Sequence, residues 1–183
     1  MTKLLHKPHL ILIALLAGVL TVPIAPQAQS APSLAQCAQT VGTPASLTVT
    51  VTGNDCVLTF TGDTTWTIPA GLTSARFLLV GGGGGGSGDG GGGGGGGGAL
   101  YHSNVSLTPG SVANIDQGAG GASNSAGAQT RIDLNGDSTY EWSAGGGSVG
   151  LGWSYADGGS GGLVNSQSGA TAYTGGRGGD GFR

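Results

Sequence analysis

The sequence predicts an all-β chain in which strands carry glycine-only extended rods. Three observations point there. Residues 81–98 are glycine except for Ser87 and Asp89. Further glycine clusters follow at 118–121, 145–147, 158–162 and 175–181, each separated by strand-like or turn-like text. Residues 46–52 alternate apolar residues with serine and threonine, the period of a half-buried strand.

The glycine run decides the architecture. Ordering each glycine costs roughly 1–2 kcal/mol and buries no side chain. A run like this is therefore either a flexible linker or an extended three-fold helix. That helix makes no internal hydrogen bonds, so it persists only beside other extended chains. Recurrence of the clusters favours a bundle of rods over a linker.

Strands flank the run in order. Residues 46–52 and 56–61 form a hairpin around the turn Gly53, Asn54, Asp55. Residues 64–68 form a third strand, turned by Pro69, Ala70 and Gly71, and residues 75–80 a fourth that leads into the glycine run. Asn135, Gly136 and Asp137 read as a hairpin turn between 130–134 and 139–143.

The first thirty residues read as a signal peptide. Lys3 and Lys7 precede an apolar run from 10 to 22, and Ala28 and Ser30 are the small residues of a cleavage site before Ala31. Ser33 to Ala35 is a second cleavage candidate. The apolar run is shorter than the ~20 residues that span a bilayer. The expected division is 1–30 signal peptide, 31–56 N-terminal arm and first strand, and 57–183 glycine-rich domain. The exported part keeps four arginines and no lysine against nine acids, a net charge of −5. Such a surface suits neither nucleic acid nor an anionic membrane. Cys37 and Cys56 are the only cysteines, and in an exported chain they are expected to pair.

Chemical motifs are sparse. A G-x-G-x-x-G match inside poly-glycine carries no information without a following helix. Residues 175–183 fit a calcium-binding nonapeptide, with Asp180 as its carboxylate, but such sites need tandem copies and the sequence has one. Asp180 is expected to close a turn, and no metal or other cofactor is expected. His102 is the one histidine beyond the leader, and Glu141 is the one glutamate. No nucleophile elbow is present. An enzyme is not expected. Aromatic residues Tyr140, Trp142, Trp153, Tyr155 and Tyr173 fall among glycine, serine and asparagine, the composition of recognition loops. Trp153, Tyr155 and Tyr173 are the candidate ligand-binding residues, whereas Trp142 and Tyr140 are expected to plug the core.

Residues 66–74, then 77–80 and poly-glycine, resemble the glycine-rich domain family of bacteria and phage, which carries a "TWTVPAGVTS" segment before "VLVVGGGGGG". The strand from Leu100 to the turn Thr108, Pro109, Gly110, and the stretch from Val112 to Gly121, continue the resemblance. It implies a β-sandwich or jelly-roll-like scaffold with packed polyglycine II helices. It also implies a place among phage tail-fibre adhesins and secreted or surface proteins; a related module occurs in some receptor kinases. The family follows its last "GGDG" with a closing strand, which this sequence lacks after Gly181. The leading expectation is a secreted, non-catalytic structural or adhesive domain that meets a surface glycan or a protein. A carbohydrate-binding module using the aromatic loops is the alternative, and a secreted hydrolase is the third reading.

Two outcomes check the exported-chain reading. N-terminal sequencing of secreted protein is expected to begin at or near Ala31. Intact mass with and without reductant is expected to show a Cys37–Cys56 bridge, worth on the order of 3 kcal/mol for so short a loop.

Overall fold

The structure, a computed structural model, describes residues 46–88, 90–152, 157–165 and 169–181. The expected signal peptide, Cys37, Asp89, Trp153 and Tyr155 lie outside the described residues. Among the described residues there are ten strands, and all of their pairings are antiparallel. Among the described residues no helix is long and apolar enough to cross a membrane.

Strands β1 (Leu47–Thr52) and β2 (Asp55–Phe60) form the expected hairpin, turned at Gly53 with φ 60°. Strand β3 (Thr64–Thr67) is followed by a turn closed by Leu72 N–H on Pro69 O, with Gly71 at φ 88°. β4 (Ser74–Val80) pairs with β5 (Ala99–Ser106), and β10 (Ala170–Tyr173) adds to the other edge of β5. The second sheet orders β3, β6 (Val112–Asp116), β7 (Thr130–Asp133), β8 (Trp142–Ala144) and β9 (Val164–Asn165). The two sheets form a sandwich. Its core is Trp66, Ile68, Leu79, Leu100, Val105, Leu107, Ala113, Ile115, Ile132, Trp142 and Ala144. Full burial of each large side chain contributes roughly 1.5–3 kcal/mol.

The sequence does not predict β9, which has two residues, or β10, whose Ala-Thr-Ala-Tyr text is half alanine, a residue depleted in strands. The turn at 135–137 is found, but β8 begins at Trp142 rather than 139. The Asp133 carboxylate explains the longer loop. It is buried and accepts from the Asn114 amide (3.0 Å) and from the backbone N–H groups of Asn135 (3.2 Å), Gly136 (2.7 Å) and Ser138 (2.9 Å). One side chain thus organises the backbone that strand pairing would otherwise hold.

The glycine segments pack as extended rods. Gly81, Gly84 and Ser87 donate their N–H groups to Gly98, Gly95 and Gly92 at 2.9, 2.8 and 3.1 Å. Gly92, Gly95 and Gly98 donate in turn to Leu151, Ser148 and Gly145, each at 2.9 Å. Gly93 and Gly96 donate to Gly179 and Gly176 at 2.7 and 2.8 Å. Donors recur every third residue, the repeat of a three-fold extended helix. Seven such segments are bonded side to side among the described residues. One row runs 118–123, 81–88, 91–98, 174–181, and the other 125–129, 145–151, 157–163. Neighbours within each row are antiparallel, except that 118–123 and 81–88 run the same way. The long glycine run is therefore two rods, joined by a turn in which Gly91 N–H meets Gly88 O at 3.4 Å and Gly90 has φ 79°.

Rod spacing leaves no room for side chains on the inner columns. A Cβ on Gly94 would lie 2.0 Å from Gly84 O, on Gly95 2.0 Å from Ser160 O, and on Gly85 1.8 Å from Ala122 O. The outer column of the four-rod row differs: a Cβ on Gly83 or Gly120 would stand 3.7 Å from its nearest neighbour, and on Gly176 or Gly179 nothing lies within 4 Å.

This asymmetry is testable by thermal melts. Gly94→Ala is expected to destabilise by roughly 1–3 kcal/mol through overpacking, whereas Gly83→Ala is expected to be neutral or to stabilise by ~0.4–1 kcal/mol through the unfolded state. Asp133 gives a pH signature. Burial pushes its carboxyl upward, but the four donors outweigh that and hold it below the usual range. Its stabilising effect is therefore present above the unfolded value of ~3.9 and is lost as pH falls through the lower folded value. Asp133→Asn is expected to melt lower than the parent at neutral pH, with the gap closing as the pH drops below ~4.

Candidate functional site

The rods sort the molecule into two ends. Rods starting at 81, 118, 145 and 174 each continue from a strand or a short link after it, and rods ending at 98, 129 and 163 each feed one. Strands β4 to β10 therefore meet the bundle at one end. The rod-to-rod connections lie at the other: the turn near Gly88 and Gly90, the turn in which Ser125 N–H meets Ala122 O at 3.0 Å, and the link between Leu151 and Asp157. At ~3.1 Å per residue an eight-residue rod separates the ends by roughly 25 Å.

The far end is held by polar contacts between rods. Ser87 Oγ donates to Leu151 O at 2.9 Å, and Gly88 N–H donates to Asn124 Oδ1 at 3.2 Å. Asp180 Oδ1 accepts from Gly158 N–H at 3.0 Å and from Arg177 at 2.6 Å, and Arg177 stands 3.8 Å from Asp157. The Asp180 carboxylate, expected to close a turn, bonds to the neighbouring rod through Gly158 and to Arg177 on its own. The ion pairs are about half exposed, so each contributes little. Among the described residues no group of three or more histidine, cysteine, aspartate or glutamate side chains is placed to hold a metal ion.

The candidate binding residues do not form one cluster. Tyr173 is 58% exposed on β10, paired with Ala99 at the sheet end of the bundle. Gly152 and Asp157, which flank the segment bearing Trp153 and Tyr155, belong to the far end. Trp142 is a core residue as expected, in ring contact with Phe77 (5.9 Å) and His102 (5.2 Å). Tyr140 is half-buried outside the core: its hydroxyl donates to Asp116 at 2.6 Å, and Arg131 lies 4.1 Å over its ring. That hydrogen bond to a carboxylate, followed by burial, raises the phenol above its ordinary value. Cys56 sits on β2, and its expected partner Cys37 lies outside the described residues.

One signal in the sequence would have located the outer faces. Non-glycine residues recur every third position at Asp157, Ser160 and Leu163, and again at Thr174, Arg177 and Asp180. These are the columns that point away from neighbouring rods; Ser160, Leu163, Thr174, Arg177 and Asp180 are all exposed.

Comparison with protein families matches residues 59–182 to the glycine-rich domain model. Comparisons with curated proteins and with solved structures give no match. The matched span holds β3 to β10 and all seven rods, so the chain belongs to the glycine-rich domain family.

Proposed function

We propose that this is an exported, non-catalytic structural or adhesive domain. Its rods form a polyglycine II bundle that acts as a stiff arm between a β-sandwich base and a set of turns. The observation that carries the reading is the segregation of strands to one end and rod-to-rod connections to the other. Loops on a rigid scaffold are where recognition residues concentrate. A bundle bonded laterally along its whole length resists bending better than a single extended chain.

Export through residues 1–30 and a Cys37–Cys56 bridge belong to the same reading, as does a place at a bacterial or phage surface. The acidic, lysine-free exported chain is suited to a glycan or protein partner rather than nucleic acid.

Beads coated with the exported protein test the arm's role on cell and glycan-coated surfaces. Replacing residues 152–157 by a Gly-Ser segment of equal length is expected to lower retention about tenfold, a loss of ~1.4 kcal/mol, with an unchanged melt. Undiminished retention by that variant, or protein confined to the cytoplasm, would overturn the proposal.

A further inference from the structure

The base of the sandwich, opposite the turns, contains a pocket of about 340 Å³. A β-bulge opens it. Ala75 pairs with Val105 and Phe77 with His102, so two steps on β4 face three on β5. The extra residue shifts the inward positions of β5 from Leu100 and His102 to Val105 and Leu107, leaving Asn104 at the mouth. Bulges are over-represented where a strand must re-aim side chains beside a site.

The floor is apolar, with Ile68, Leu134 and Trp142 among its lining. The polar lining comes from His102, Asn104, Ser106, Thr108, Asn135 and Glu141. Glu141 Oε2 is fixed by Leu134 N–H at 2.7 Å, and its second oxygen makes no bond to the described residues. The His102 Nδ1 is buried and unpartnered. The Asn104 amide and Thr108 hydroxyl likewise make no bond to described residues and stand exposed. An apolar floor with a few convergent polar groups, at this volume, is the anatomy of a small-ligand site.

The lining selects the ligand. An anion would face the Glu141 carboxylate. A cation would find that one carboxylate, already half engaged, and no second acid. Amide, hydroxyl and imidazole groups both donate and accept, so they are best matched by hydroxyls, which also do both. The apolar floor beside Trp142 wants a ring face. We propose that this pocket binds a neutral sugar unit through Asn104, Thr108, Glu141 and His102, with its ring against Trp142 and Leu134. None of its lining residues belongs to the far end, and it stands independently of the role proposed there.

Saturation-transfer NMR on the exported protein with a panel of neutral monosaccharides tests the proposal, followed by titration of the strongest binder. Transfer to the ring protons of at least one sugar is expected. Asn104→Ala with Thr108→Ala is expected to weaken it at least about tenfold without changing the melt, because both side chains are exposed and unbonded. Glu141→Gln, which keeps an acceptor for the Leu134 N–H, provides a second folded variant with weakened binding. The Gly-Ser replacement of residues 152–157 is expected to leave the titration unchanged. No transfer from any sugar, binding insensitive to the pocket variants, or binding lost with the 152–157 replacement would each overturn the pocket. None of these outcomes decides the bead-retention result, so the two proposals fail separately.

Discussion

Backbone must approach backbone so closely in this molecule that a methyl group does not fit between. Carbonyls such as Gly84 O, Ser160 O and Ala122 O stand about where an inner Cβ would be. The positions where such a Cβ would collide are therefore glycine, and the cohesion of the bundle is carried by N–H···O bonds rather than by side-chain burial. Each such bond contributes only about 0.5–1.5 kcal/mol net. Ordering each glycine costs a similar amount. A single rod cannot persist on those terms. A rod bonded to several neighbours has more of its peptide groups paired for the same ordering cost.

The β-sandwich supplies what the bundle lacks. Its core of two tryptophans and large aliphatic residues holds the strand ends in place, and the strands launch and receive the rods. Entry points fixed in this way lower the entropy that each rod must lose when it finds its neighbours. The Asp133 carboxylate plays a similar part at the end of the sheet away from the rods. It converts a loop of eight residues into defined backbone, and that loop in turn supplies Leu134 and Glu141 to the base pocket.

The two ends follow different rules of change. Along the rods, the side chains of Asp157, Ser160 and Leu163 recur on an outward column, and most crowded positions are glycine. At the rod-to-rod connections and around the pocket mouth, side chains are free of that restriction. Side chains can therefore vary at either end while the lattice between them stays constant.

Most of the strands were legible because alternation and turn chemistry are local. Thr48, Thr50 and Thr52 between apolar neighbours declare β1, and Pro69–Gly71 and Thr108–Gly110 declare their turns. The glycine clusters likewise announced rods by composition alone. The rod at 125–129 did not, since it has one glycine. As an edge member of its row it needs only Gly127 to face inward, where a Cβ would stand 2.2 Å from Gly82 O. How many neighbours a segment has is a tertiary fact, and it sets how many of its residues must be glycine. The pairing order of the rods, the bulge between β4 and β5, and the meeting of His102 with Glu141 and Trp142 are of the same kind. By itself the sequence determined that rods and strands would form, because those preferences reside in single residues and their spacing. Only the tertiary structure decided which rods touch and where a pocket opens, because those depend on contacts between residues far apart in the chain.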